Sequence, residues 1–286
     1  MIYFEVIYLN RMISVITPVY NGEQYIESCL QTVSSAKLSR GRASDHRWGI
    51  RRSYDEIVKQ YAEKYPHLRW ISEKDRGQSD AMNKGIRLAK GEIIGFLNAD
   101  DYYESNTLNQ VIEIFKTLPI PSFVVGNCNV WDDNGNLKKY NRPKNLSFTA
   151  LLLGANINPH PVNPSAYFYH TSLHRTIGEY RVDEHFALDV DFILRAVQVA
   201  TVKHIDRTWG NYREIAGTKT VTDWQSGQGA ARSAALLKQY RDQLPMLTRT
   251  QNTLLYTVLN TAYNATQLFK RGIGKVARSL SILPQP

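Results

Sequence analysis

Asp100 and Asp101 close the run Glu92-Ile-Ile-Gly-Phe-Leu-Asn-Ala-Asp-Asp101, directly after Ile93 to Leu97, an apolar stretch with the length of a buried strand. Adjacent carboxylates at that point are hard oxygen ligands, suited to a magnesium- or manganese-type cation carrying a phosphate. Ligands of open α/β sheets collect at the carboxyl ends of the strands, which is where this pair would stand. The competing role is structural: Asp101 could cap the helix carried by Leu108, Val111, Ile112 and Phe115.

The elements around the pair decide between these roles. Ile13-Ser-Val-Ile-Thr-Pro-Val-Tyr-Asn-Gly22 reads as a first strand ending in an Asn-Gly turn, with Tyr25, Ile26 and Leu30 following at helical spacing. Arg69-Trp-Ile-Ser-Glu-Lys-Asp-Arg-Gly77 reads as another strand and glycine turn, followed by a helix with Met82, Ile86 and Ala89 on one face. Such alternation predicts an α/β fold, a mostly parallel sheet with helices on both faces. Thr17, Asp75 and Asp100–Asp101 would then line one edge, which favours a nucleotide crevice over three unrelated turns.

Four segments together resemble the inverting family 2 glycosyltransferases with a GT-A fold. They are Val15–Gly22, Ser72-Glu-Lys-Asp-Arg-Gly-Gln-Ser-Asp-Ala-Met-Asn-Lys-Gly85, Gly91–Asp101 and Phe186-Ala-Leu-Asp-Val-Asp-Phe-Ile-Leu-Arg195. The resemblance implies a nucleotide-diphosphate sugar as donor, its base near Thr17, Pro18 and Tyr20, with Asp75 and the turn at Gly77 beside the nucleoside. It implies Asp100 near the ribose, Asp101 on a divalent metal (Mn or Mg) and Asp189 as general base, although Leu188 stands where relatives often have Glu. A metal that neutralises the departing diphosphate can replace a general acid, while a carboxylate takes the acceptor's proton. The other reading of Asp189 is a charge opposing the dipole of the helix through Phe192, Ile193 and Val197. Trp209–Thr220 resembles a late loop closing over the donor, with Arg213 and Lys219 either gripping the diphosphate or standing as surface charges.

One stretch departs from that pattern. Ser35 to Ser53 is basic and has no apolar run where relatives carry a strand ending in Asp-Gly-x-Ser, whose aspartate contacts the donor base. Shifting the reading frame by one nucleotide lets residues 45–50 read Ile-Ile-Asp-Gly-Gly-Ser, so a local frameshift is the preferred account and a basic loop touching an anionic acceptor the plain one. A catalytically impaired product of such a gene is a rival to a working enzyme. Met1 to Arg11 resembles nothing in the family; it reads as an upstream start before Met12 or as an extra edge strand.

Residues 12–225 are expected to form the GT-A domain and 226–286 a C-terminal helical extension. The chain has 286 residues, two cysteines and a net charge of +9. Cys29 and Cys128 suit a reducing cytoplasm and structural burial. The charge favours sugar nucleotides and anionic lipids, and excludes nothing more specific. With no long apolar run the chain is not expected to span a membrane, and its cysteine usage makes a cytoplasmic enzyme the expectation. In the tail, Leu255, Val258, Leu259, Ala262, Leu268 and Phe269 recur at threes and fours ahead of Lys270, Arg271, Lys275 and Arg278. That suits packing on the domain or peripheral contact with the inner membrane face, next to a saccharide or lipid-linked acceptor. Asp132-Asp133-Asn-Gly135 is a hairpin turn signal, and His160 is expected to be solvated rather than on the acceptor. A nucleotidyltransferase would need a glycine-rich phosphate loop that Val19–Gly22 does not supply. A role in cell-surface polysaccharide or glycolipid synthesis fits best, and no nucleic acid is expected.

Overall fold

The computed structural model describes residues 2–8, 12–19, 24–34, 54–66 and 68–280. In chain order they form β1 (Ile2–Tyr8), β2 (Ile13–Val19), α1 (Ile26–Ser34), α2 (Tyr54–Lys64), β3 (Leu68–Ser72), α3 (Gln78–Leu88), β4 (Ile93–Phe96), β5 (Tyr102–Tyr103) and α4 (Thr107–Phe115). Next come β6 (Ser122–Trp131), β7 (Leu137–Asn141), α5 (Phe148–Leu151), β8 (Tyr167–His170), α6 (Leu173–Ile177), α7 (Leu188–Ala196) and β9 (Thr201–Arg213). The helices α8 (Lys219–Gln225), α9 (Gln228–Asp242) and α10 (Met246–Leu280) follow.

The period-2 alternation of the strands divides the core into two layers. Ile13, Val15 and Val19 of β2 face one layer with Ile93 of β4, while Ile16, Ile94 and Phe96 face the other. The first layer is closed by Leu30 of α1, Val58 of α2 and Val111 of α4; the second by Met82 of α3, Phe192 of α7 and Leu236 of α9. Burying each such side chain stabilises the fold by about 1.5–3 kcal/mol. Gly95 is a packing requirement, since a Cβ there would lie 2.5 Å from the Phe168 ring.

Among the described residues the sheet runs β3-β1-β2-β4-β8-β6-β9-β5, with β7 on β6. β2–β4 and β6–β9 are parallel pairs, and β2, β3, β4, β6 and β9 all point the same way. The predicted α/β fold with helices on both faces is therefore present, and the carboxyl ends of these strands open on one edge.

Two expectations meet the structure differently. Residues 35–53, which carry the frameshift reading, lie outside the described residues. Ile2–Tyr8 does not stand at a sheet edge: β1 lies between β2 and β3 and pairs antiparallel with both. The reason is backbone satisfaction, since the facing ladders of β2 and β3 each need a partner and β1 supplies donors and acceptors to both.

Candidate active site

A cavity of about 1770 Å³ opens over the carboxyl ends of the strands. Pro18, Asp75, Gly77 and Asp100 line one side, Asp189 and Lys219 another. The C-terminal helices supply a third wall through Ser233, Leu237, Tyr256 and Asn260. Widely separated segments of the sequence thus converge, although not every expected residue reaches the cavity.

Asp100 and Asp101 sit after β4, in the turn before β5. Asp100 lines the cavity, and burial raises its carboxyl above the usual range. Asp101 lies behind it, 2% exposed. Its Oδ2 accepts hydrogen bonds from Asn98 Nδ2 at 2.9 Å and Asn163 Nδ2 at 2.8 Å, and its Oδ1 accepts from the Arg213 backbone N–H at 3.2 Å. Burial first, and then the charge of Asp100, push Asp101 up to about 7. Asp101 does not cap α4, whose N-cap is Asn106. Arg213 stands behind the pair, its Nε on the Asp100 carbonyl and its guanidinium 5.2 Å from the Tyr25 ring centroid.

On the donor side, Asp75 pairs with Lys84 Nζ at 2.7 Å. Gly77 begins α3 at φ +124° and ψ −178°, a conformation that essentially only glycine adopts. It lets the chain turn sharply from β3 into the helix at the cavity wall. Thr17 is fully buried against Cys29 instead of lining the cavity, and Tyr20 lies outside the described residues. Of the three residues expected around the base, the structure brings Pro18 to the wall.

Asp189 occupies the first turn of α7, where its charge also opposes the helix dipole. The half-buried carboxyl faces the cavity and accepts a hydrogen bond from the Tyr167 hydroxyl at 2.8 Å. Burial raises it to about 6, against the lowering effects of Tyr167 and Lys219. Asp191, two residues on, turns away into a buried cluster: Arg181 Nη1 at 3.0 Å, Arg195 Nε at 2.8 Å and the Tyr240 hydroxyl at 2.8 Å. One aspartate thus faces the cavity while the next pins α9 to α7.

Lys219 donates to the His185 carbonyl and pairs with Asp223 at 2.7 Å on the cavity wall. His160 is buried rather than solvated, with Nε2 2.8 Å from the Leu151 carbonyl. Asp132 Oδ1 accepts from the Asn134 and Asn136 backbone at 3.0 and 2.8 Å, the turn chemistry its sequence predicts. Both cysteines are buried and burial pushes their thiols up, so neither is a ready nucleophile.

Sequence reading missed Tyr167, Asn163 and the helical wall. Each acts through contacts that span tens of residues or more. Only the alternation of the tyrosines in Tyr167-Phe-Tyr169, which puts both on one face, hints at any of them.

The residue types suit a divalent cation. Asp100 and Asp101 are adjacent hard oxygen donors whose mutual repulsion a cation would relieve, and diphosphate oxygens and water ordinarily complete such a shell. Among the described residues no group of three or more His, Cys, Asp or Glu could hold an ion by itself.

Comparison with known proteins places this geometry in context. The sequence model described as "Glycosyl transferase family 2" matches residues 49–177. An uncharacterised glycosyltransferase of Mycobacterium tuberculosis is 31% identical over 190 residues, covering 65% of this chain and 69% of that protein. The chain spans about 30% of the length of two other curated glycosyltransferases that it matches, from Bacillus subtilis and Escherichia coli. Among solved structures, S. aureus TarS 1-349 in complex with UDP-GlcNAc superposes with a TM-score of 0.61 at 16% identity, over 88% of this chain and 73% of that one. The mannosyltransferase PcManGT of Pyrobaculum calidifontis, in complex with GDP-Man and Mn2+, gives 0.53 at 17% identity, over 93% and 80%. At such identities the structural likeness shows the fold, a GT-A glycosyltransferase fold.

Proposed function

The chain belongs to glycosyl transferase family 2, and we propose that its cavity passes a sugar from a nucleotide-diphosphate sugar to an acceptor hydroxyl with inversion. Asp189 carries this reading: a desolvated carboxyl raised to about 6, on the same cavity as Asp75 and Asp100. Such a group is ionised at neutral pH yet basic enough to take a proton from a hydroxyl. Tyr167 holds Oδ1, which leaves Oδ2 for the acceptor.

The donor lies across the sheet edge. Pro18 flanks the base, Asp75 and Gly77 the nucleoside, and Asp100 the ribose. Asp101, with Asp100 beside it, would hold a manganese or magnesium ion, and such an ion when bound neutralises charge developing on the departing diphosphate. Arg213 and Lys219 add positive charge near that diphosphate. Bound donors of the superposed structures, UDP-GlcNAc and GDP-Man with Mn2+, support a nucleotide-sugar and a metal here.

Residues 12–225, with β1 paired inside their sheet, act as the catalytic domain and 226–286 as an extension that completes the acceptor side. The acceptor is a saccharide or a lipid-linked saccharide, in cell-surface polysaccharide or glycolipid synthesis on the cytoplasmic side. A peripheral membrane contact through the basic C-terminal helix belongs with the lipid-linked case. Asp189→Asn tests the central assignment. Donor affinity by calorimetry should persist while transfer falls by about 10²–10⁴-fold; undiminished transfer would remove Asp189 as the base.

A second reading is favoured by one observation: the family match begins at residue 49, inside the segment whose frame is in question. Here the chain as written is an impaired product of a locally shifted gene. Resequencing codons 34 to 54 decides it, since compensating single-base errors support the shift and an unchanged read removes it.

A further inference from the structure

α10 presents its faces the wrong way round for a helix that packs on a protein core. Asn252, Tyr256 and Asn260, each one turn from the next, face the body of the molecule. Asn252 is 6% exposed, donates Nδ2 to the Thr149 carbonyl at 2.7 Å and accepts from Arg241 Nε at 3.1 Å. The Arg241 guanidinium lies 4.2 Å from the Tyr256 ring centroid, and Tyr256 and Asn260 line the cavity. The apolar residues point outward: Leu247 is 78% exposed, Leu254 65%, Val258 57%, Leu268 68% and Phe269 71%. A surface helix ordinarily turns such residues to the core, and a row of them turned outward marks contact with another phase or molecule.

Charge selects the occupant. From Met246 to Leu280 the sequence contains no Asp or Glu, but does contain Arg249, Lys270, Arg271, Lys275 and Arg278. A second copy packed on the stripe would bring cations toward cations. An anionic bilayer complements both the stripe and the charge. Among the described residues no helix is long and apolar enough to cross a membrane. A long amphipathic helix with this composition instead lies in the interface.

We propose that α10 lays Leu247, Leu254, Val258, Leu268 and Phe269 into the surface of an anionic membrane, so that the cavity wall on its other face stands directly above the lipid. This deepens the lipid-linked acceptor reading and rests on it for its use, though not for its detection.

The test is cosedimentation of the full chain with phosphatidylcholine vesicles, with and without phosphatidylglycerol, next to the variant Leu254→Ser/Val258→Ser/Phe269→Ser. All three positions are exposed, and circular dichroism with a thermal melt verifies the variant's fold. The wild type should pellet with the phosphatidylglycerol vesicles, less so at high salt, and the variant should bind on the order of tenfold or more weakly. Wild-type protein that stays in the supernatant overturns the inference. So does a wild-type dimer in sedimentation velocity that the variant loses, because a second copy would then own the stripe. Donor hydrolysis without vesicles is read separately. Binding without hydrolysis would count against the glycosyltransferase assignment and leave the membrane surface standing.

Discussion

The two halves of the sheet arrive at the cavity by different means. In the half made of β8, β6, β9 and β5, strands from distant parts of the chain pair with one another, and the carboxyls beside them are held by neutral donors. Tyr167 holds Asp189, and Asn98, Asn163 and a backbone N–H hold Asp101. In the half made of β3, β1, β2 and β4, the inner place is filled by the N-terminal strand, and Asp75 is held by the ammonium of Lys84. A neutral donor fixes a carboxylate without cancelling its charge, so burial can keep it basic; a cation in contact cancels it. On the proposed function, the first half serves proton transfer and cation binding, and the second serves position.

Removing residues 1–11 attacks this contrast most severely. Both ladders of β1 would be lost, leaving β2 and β3 with unpaired inner backbone groups. Thermal unfolding should lose its single cooperative transition, with hydrogen exchange rising first in β2 and β3. An unchanged melt would mean that another segment can take the place of β1.

Asp101→Ala comes next. Metal-dependent nucleotide binding and sugar-nucleotide hydrolysis should both be lost while circular dichroism stays native, and titration with Mn2+ and nucleotide reads this directly. Full turnover in the variant would remove Asp101 from any metal site.

The smallest effect sharpens the proton-transfer side. As the proposed base, Asp189 would act only when ionised, so transfer should rise with pH through about 6 and then level off. The Tyr167 hydroxyl lowers that value by stabilising the carboxylate. Tyr167→Phe should therefore move the rising limb to higher pH, by up to about one unit, with little change in the plateau. A limb that does not move would mean that Tyr167 packs but does not tune.

Much of this was legible from residue order. The strand–turn–helix alternation, the carboxylates after Leu97 and the aspartate opening α7 follow from local patterns, because helix and strand periods are written in adjacent residues. The edge-strand expectation for residues 1–11 failed because pairing is decided between segments far apart. The solvated His160 failed for the same reason: its burial depends on Leu151 and Asn141, and loop composition does not reveal them.

The sequence by itself determined the fold class, the carboxylates available and the family, since each is carried by the types and spacing of nearby residues. Only the tertiary structure decided which carboxylate of each pair faces the cavity. Asp189 rather than Asp191, and Asp100 rather than Asp101, line it. Two residues along a helix are on different sides, and in a tight turn one side chain points out while its neighbour is buried. Burial raises both carboxyls, and the donors that oppose the rise, Tyr167 and Asn163, lie 22 and 62 residues away in the chain from the aspartates they hold.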